Sequence, residues 1–116
     1  MSFVVGGAIG EKYAQLGGEG GFLGAPLTDE TGAPDGVGRY NHFQGGTIYW
    51  TPQTGAHEVH GAIRDEWARR DWERGRLRYP TSDERGTSDG GRYSEFQGGT
   101  IVCTPEGRTV VSFRMD

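Results

Sequence analysis

Gly-Arg-Tyr-Asn-His-Phe-Gln-Gly-Gly-Thr-Ile at 38–48 returns as Gly-Arg-Tyr-Ser-Glu-Phe-Gln-Gly-Gly-Thr-Ile at 91–101. The echo continues outward from that stretch. Gly7-Ala8-Ile9 answers Gly61-Ala62-Ile63, Leu23 answers Leu77, and Pro26 answers Pro80. Asp29-Glu30 answers Asp83-Glu84 and Asp35-Gly36 answers Asp89-Gly90, all about 54 residues apart. Val37 is one extra residue in the first copy. A period of this order marks a repeat architecture, and such modules mostly bind or assemble. The residues point first to a binding module.

Each copy reads as helix, glycine-rich loop, hairpin and short strand. At 8–16, Ile9, Tyr13 and Leu16 fall at helical spacing, and Gly17-Gly18 stops the helix. Ile63, Trp67 and Arg70 hold the same phase in the second copy, where the predicted helix runs on to about Trp72 or Glu73. Loops follow through Leu23-Gly24-Ala25-Pro26 and Leu77-Arg78-Tyr79-Pro80. The runs 39–43 and 47–51 are joined by Gln44-Gly45-Gly46, and 92–96 and 100–104 repeat them; glycine between two β-rich runs signals a hairpin. Pro52 and Pro105 end the second strand, because proline cannot donate to a ladder. A last strand is predicted at 56–60 and 109–113.

Val4-Val5 precedes the first helix as Val59 precedes the second, so 2–5 reads as the final strand of a preceding unit. The fold class is α+β: two tandem repeats, about 5–58 and 59–111, making one domain over 1–116 within a ring-like or repeat assembly. The end strands 2–5 and 110–113 are apolar edges in need of partners. They pair either with each other in one chain or across chains in a closed homo-oligomer.

A chain of 116 residues has the size of one compact domain. Its 22 glycines stand at fixed points of both copies, which makes them turn positions and not a flexible linker. The net charge of −4 argues against a nucleic-acid partner, since such binders show a basic face. The arginine-rich stretch 64–78 is the local exception, interrupted by Asp65, Glu66, Asp71 and Glu73. Cys103 is the only cysteine and replaces Trp50 of the first copy, as an apolar filler. No stretch approaches the ~20 apolar residues of a membrane span. The N-terminal segment lacks the basic and apolar regions of a signal peptide, so the protein stays inside the cell or its leader lies outside this sequence.

Leu16-Gly17-Gly18-Glu19-Gly20-Gly21-Phe22-Leu23-Gly24-Ala25-Pro26 carries the pattern Leu-Gly-x-x-x-Gly-x-Leu-Gly-x-Pro. It is followed by Asp35-Gly36, by Gly38-x-Tyr40-x-x-Phe43, and by Gly46-x-Ile48-Tyr49-Trp50-x-Pro52-x-Thr54-Gly55-Ala56. Together these resemble the LGFP repeat, over nearly the whole chain as two units. The second copy departs, with Arg70-Asp71 for Leu-Gly, Arg78-Tyr79 for Gly-x and Val102-Cys103 for Tyr-Trp. LGFP repeats occur in actinobacterial envelope proteins, often appended to mycoloyltransferases, amidases and other wall-acting enzymes. There, tandem copies form ring-like arrays held to anchor the protein to wall polysaccharide such as arabinogalactan. The resemblance implies carbohydrate or cell-wall binding, and a place in the cell envelope or outside the cell. A cytoplasmic location stays open.

Sugar recognition needs flat apolar platforms for C–H faces and fixed polar groups for hydroxyls. Tyr13/Trp67, Tyr40/Tyr93 and Phe43/Phe96 stand in both copies and read as scaffold. The aromatics present in one copy only are the better ligand contacts: Phe22, Tyr49, Trp50, Trp72 and Tyr79. Tyr49 and Trp50 are adjacent on a strand and point to opposite faces, so Trp50 either packs inward or faces a groove. Trp72, among charges, is expected to be exposed. Asp35 and Asp89 read as turn residues bonding local N–H groups. Glu30 and Glu84 either accept sugar hydroxyls or pair with Arg39 and Arg92. His42 faces solvent beside a ligand. His57 and His60 sit three apart, an awkward spacing for joint metal ligation on a strand.

The reading is a non-catalytic, multivalent module binding a polysaccharide or glycan, with arabinogalactan-type polymer as one candidate and without cofactor or metal. Two rivals stand beside it. One is a structural or protein-interaction module docking through Arg69, Arg70, Arg74, Arg76 and Arg78. The other is a cell-wall hydrolase using Glu30 and Glu84, for which no activating partner can be named.

Overall fold

The apolar i, i+4 pairs seen in the sequence form the inner stripe of two short helices, α1 (Gly7–Gln15) and α2 (Gly61–Arg69). They belong to a computed structural model that describes residues 3–115. The chain divides into two compact units, Met1–Glu58 and Val59–Asp116. After each helix the chain makes a short 3₁₀ turn, at Gly18–Gly20 and at Trp72–Arg74. It then builds strands β1 (Thr31–Gly32), β2 (Arg39–Phe43), β3 (Gly46–Thr51) and β4 (Gly55–Val59). The second copy adds β5 (Arg85–Gly86), β6 (Arg92–Phe96), β7 (Gly99–Cys103) and β8 (Thr109–Phe113). Each set is a four-stranded antiparallel meander in sequence order, β1-β2-β3-β4 and β5-β6-β7-β8. The expected α+β fold of two tandem repeats is what forms.

Alternation along the strands fills the core. In the first unit Ile9, Leu23, Phe43 and Ile48 are buried together, with Val5, Tyr13, Leu16, Trp50 and Ala56 packed against them. Tyr13 stacks on Phe43 at 4.5 Å and donates its hydroxyl to the Gly24 carbonyl at 2.6 Å. In the second unit the buried set includes Ile63, Trp67, Leu77, Phe96 and Ile101, with Val59 and Tyr79. There Trp67, fully buried, meets Phe96 at 5.2 Å and donates its indole N–H to the Arg78 carbonyl at 3.0 Å. Burial of each such side chain stabilises the fold by about 1.5–3 kcal/mol. The loop between helix and hairpin is tied down by one bridge in each copy, Pro26 to Phe43 and Pro80 to Phe96.

Three local expectations change. The hairpin turns contain only two residues, since Phe43 pairs with Gly46 and Phe96 with Gly99. Gly45 and Gly98 are not in the left-handed region that primed hairpin turns demand. Crowding requires them instead: a Cβ would stand 2.2 Å from the Phe22 carbonyl oxygen at Gly45, and 2.0 Å from that of Arg76 at Gly98.

The second helix does not reach Trp72 or Glu73. It ends at Arg69, because Asp71 (φ 77°) and Trp72 (φ 54°) turn the chain left-handed where the first copy has Gly17 and Gly18. The third change concerns 2–5, of which Ser2 lies outside the described residues. Phe3–Val5 is not a ladder strand. Val4 is nevertheless held: its carbonyl accepts from Glu30 N at 2.9 Å and Asn41 Nδ2 at 3.2 Å, and its N–H donates to Asp29 Oδ1 at 2.7 Å.

Candidate functional site

Outward from the first core, Trp50 is the aromatic that reaches both core and surface. On β3 it shares a face with Ile48, so its ring packs on the buried cluster while part of it stays open. The open part lines a pocket of about 240 Å³ with Gly7, Ala8, Ile9, Glu30 and Arg39. The start of α1 supplies small residues there. Arg39, opposite Trp50 in the β2–β3 ladder, donates Nε–H to Glu30 Oε2 at 2.9 Å. The two alternatives for Trp50, packing inward and facing a groove, thus coincide. The pocket offers an indole edge, an apolar floor and a guanidinium–carboxylate pair at its rim.

The other face of the same strands carries a second aromatic group. Tyr40 and Tyr49 are ladder partners and stack at 4.8 Å, with planes 11° apart. His42 tilts against Tyr40 at 5.1 Å, and its Nδ1 lies 3.0 Å from Thr47 Oγ1. Tyr40 therefore belongs to the outer sheet face and not to the core side. Tyr49, 3% exposed, has no open ring to offer, so it is a packing residue where the sequence suggested a ligand contact. His42, expected to face solvent, is half-buried.

In the second unit Tyr79 is 6% exposed and also leaves the ligand-facing set; its N–H donates to Gln97 Oε1 at 3.3 Å. Trp72 is half-buried and not exposed: it lies edge-on to Trp67 at 5.4 Å, with the Arg64 guanidinium 5.1 Å from its ring centre. Phe22 stays open at 50% exposure, on the loop that crosses the β2–β3 turn. Glu84 accepts from Arg92 Nε at 2.9 Å and lies 3.2 Å from His60 Nε2. Both repeated glutamates are thus ion-paired. His57 bonds elsewhere, with Nε2 2.7 Å from the Thr54 carbonyl.

The turn acids behave as read. Asp35 accepts from Val37 N and Gly38 N at 2.9 and 3.0 Å. Asp89 accepts from the Thr87 hydroxyl and from Gly91 N, which lower its carboxyl below the usual range. Unforeseen was Glu66, on α2. Its carboxylate accepts from Thr109 Oγ1 of β8 at 2.7 Å, from Arg69 at 2.6 Å and from Arg70 at 2.7 Å. Thr109 first, then the two arginines, hold its carboxyl down to about 2. The Arg-rich string hid this staple, since only the register of β8 brings Thr109 to it. Gly7 and Ala8 were also missed as pocket lining, because small residues leave no chemical signal.

Among the described residues no helix is long and apolar enough to cross a membrane. None of the curated proteins matches the chain. The LGFP repeat family model matches residues 23–75 and again 77–113. Its period starts at the loop leucines Leu23 and Leu77, whereas the compact units are cut at 58/59. A matched copy therefore runs from one unit's loop through the next unit's helix. With both matches taken together, the chain belongs to the LGFP repeat family, as two tandem copies.

Proposed function

We propose that this chain is a non-catalytic glycan-binding module, with the Trp50 pocket as its sugar site. The observation that carries the reading is the half-buried indole set over Gly7, Ala8 and Ile9 and beside the Arg39–Glu30 pair. A ring held by core packing presents a fixed platform for a sugar C–H face without loss of side-chain freedom. Glu30 can accept from hydroxyls, and the remaining guanidinium donors of Arg39 can give to them. Membership of a repeat family that is not a known catalytic one supports binding over turnover. A wall polysaccharide of arabinogalactan type, in the cell envelope, is the ligand class this proposal names.

One shallow pocket gives weak monovalent binding. Association of chains would place several pockets on one polymer and raise avidity through effective concentration. Strand β8 supports such association, as a sheet edge with Val110 half exposed.

The test is calorimetric titration with soluble arabinogalactan, alongside light scattering to follow chain association. Trp50→Ala should weaken binding about tenfold, by removal of a stacking aromatic, while Cys103→Ala leaves it unchanged. Equal affinity of Trp50→Ala and the natural chain would remove the reading.

A further inference from the structure

We propose that the second repeat holds a site for an oxyanion group, phosphate or carboxylate, carried on an acidic polysaccharide and bound by Arg76, Arg78 and Arg114. It rests on the glycan reading above but uses a different place in the chain. These three arginines, with Gly75 and Gly98, line a hollow of about 370 Å³. Three segments meet there: the loop after the 3₁₀ turn, the β6–β7 turn and the residue following β8. Gly98 N donates to the Leu77 carbonyl at 2.9 Å and Arg114 N to the Gly98 carbonyl at 2.8 Å, which fixes the three backbones against one another.

The neighbouring arginines are already neutralised. Arg69 and Arg70 sit on Glu66, Arg74 on Asp71, and Arg92 on Glu84. The docking patch suggested by the sequence thus shrinks to Arg76 and Arg78, and the fold adds Arg114. Among the described residues none of these three has an acid within ion-pair distance. Glu95 shares the adjoining pocket with Arg114 yet makes no ion pair with it. The Arg76 guanidinium lies 4.2 Å from the centre of the Phe113 ring, which orients the charge, and its N–H groups meet no acid among the described residues. Three like charges around one hollow are a cost that an oxyanion relieves.

The backbone points the same way. Arg78 is left-handed at φ 60°, where the first repeat has Gly24 at φ 71°. A side chain is held at a position built for glycine, and such strain concentrates at ligand sites. The corresponding loop of the first repeat carries Phe22 and Gly24 and no cation. The oxyanion site is therefore a property of the second copy alone.

The experiment is a ¹H–¹⁵N titration of the whole chain with inorganic phosphate, at ionic strength matched with chloride. Saturable shifts should gather at 75–78, Gly98 and Arg114. Arg78→Gly restores the residue of the first repeat, so the fold is kept, and phosphate affinity should fall about tenfold with one charge-assisted bond lost. Polygalacturonate and poly(glycerol phosphate) then tell carboxylate from phosphate. Neutral arabinan tests the Trp50 pocket separately: Arg78→Gly should leave its binding intact and Trp50→Ala should weaken it. Unchanged phosphate and acidic-polymer affinity in Arg78→Gly overturns the proposal, as do phosphate shifts spread equally to Arg85 and Arg108. Polyglutamate binding more tightly than both acidic polysaccharides would overturn the glycan assignment in favour of a protein partner.

Discussion

In the first repeat the outer sheet face carries Tyr40, His42 and Tyr49, and the inner edge carries Trp50; the second repeat has Tyr93, Glu95, Val102 and Cys103 at those places. In the loops the contrast reverses. Gly17, Gly18 and Gly24 of the first repeat stand where the second has Asp71, Trp72 and Arg78, on the same left-handed backbone. One frame thus bears two surfaces, rings on the sheet of the first copy and the side chains of Asp71, Trp72 and Arg78 on the loops of the second. What the copies share is what packing demands: Ile9/Ile63, Leu23/Leu77, Phe43/Phe96 and Ile48/Ile101 are buried in each. The differences reach the core only in part, as Trp67 for Tyr13, Val102 for Tyr49 and Tyr79 for Ala25; the others lie on the surface or where a helix must turn.

The sharpest way to break the shared frame is through its largest buried ring. Trp67→Ala should cost about 3–5 kcal/mol, from lost transfer energy and the cavity left behind. Its counterpart Tyr13 is only half-buried, so Tyr13→Ala should cost less, as urea melts of both variants would show. An equal loss would mean that the first helix is anchored as deeply as the second.

The glycines under the loops come next, and here the repeats should respond alike. A Cβ at Gly75 would meet the Arg70 carbonyl oxygen at 1.9 Å, and one at Gly21 the Leu16 oxygen at 2.0 Å. Gly75→Ala and Gly21→Ala should each cost about 1–3 kcal/mol through forced backbone shifts. Thermal melts in which only one of the pair lost stability would separate two loops that the geometry equates.

Glu66 marks a difference in stability between the copies, for Lys12 holds its place in the first. The carboxyl of Glu66 is lowered in the folded chain to about 2 from an ordinary 4.5. The folded state therefore binds that proton less readily than the unfolded one. The stabilisation is complete above about 4.5 and drains away as pH falls towards 2. Glu66→Gln should cost about 1.5–3 kcal/mol at neutral pH, the range for a bond to a charged group. It should also flatten the acid limb of a stability-against-pH curve. An acid limb of unchanged slope would assign that limb to other carboxylates.

Much of this frame was legible because the chain states it twice. The duplicated hairpin, the Ile9/Tyr13 and Ile63/Trp67 stripes and the Asp35 turn all rest on local spacing, and all formed. The second helix was read too long because Arg70, Asp71 and Glu73 are ordinary helix residues; only tertiary packing forces Asp71 and Trp72 left-handed. Gly45 looked like a turn glycine, yet its reason is the Phe22 carbonyl, contributed by a loop distant in sequence. The sites suffered most from this limit. Residues 49 and 50 are equally aromatic in the sequence, but Tyr40 covers one ring while a pocket of small residues opens beside the other. Arg114 carried no signal at all until the end of β8 brought it to Arg78.

The mildest test lies at the helix stop, where the copies differ in strain. An L-residue in the left-handed region costs about 1–2 kcal/mol, and Asp71 makes no side-chain capping bond at the start of the 3₁₀ turn to offset it. Its contact with Arg74 at 2.9 Å is largely exposed, so that ion pair contributes about 0–1 kcal/mol. Glycine at 71 removes the strain but gives the unfolded chain more freedom, which offsets part of the gain. Asp71→Gly should therefore raise stability by less than about 1 kcal/mol. The reverse change, Gly17→Asp, should lower it by about 1 kcal/mol or more. A Cβ at 17 would also stand 3.0 Å from the Gly21 Cα. Equal and opposite shifts in paired melts would make the two helix stops interchangeable. A loss on Asp71→Gly would show that Asp71 is held for a contact that the strain serves, and would place the second copy's loop among its working parts.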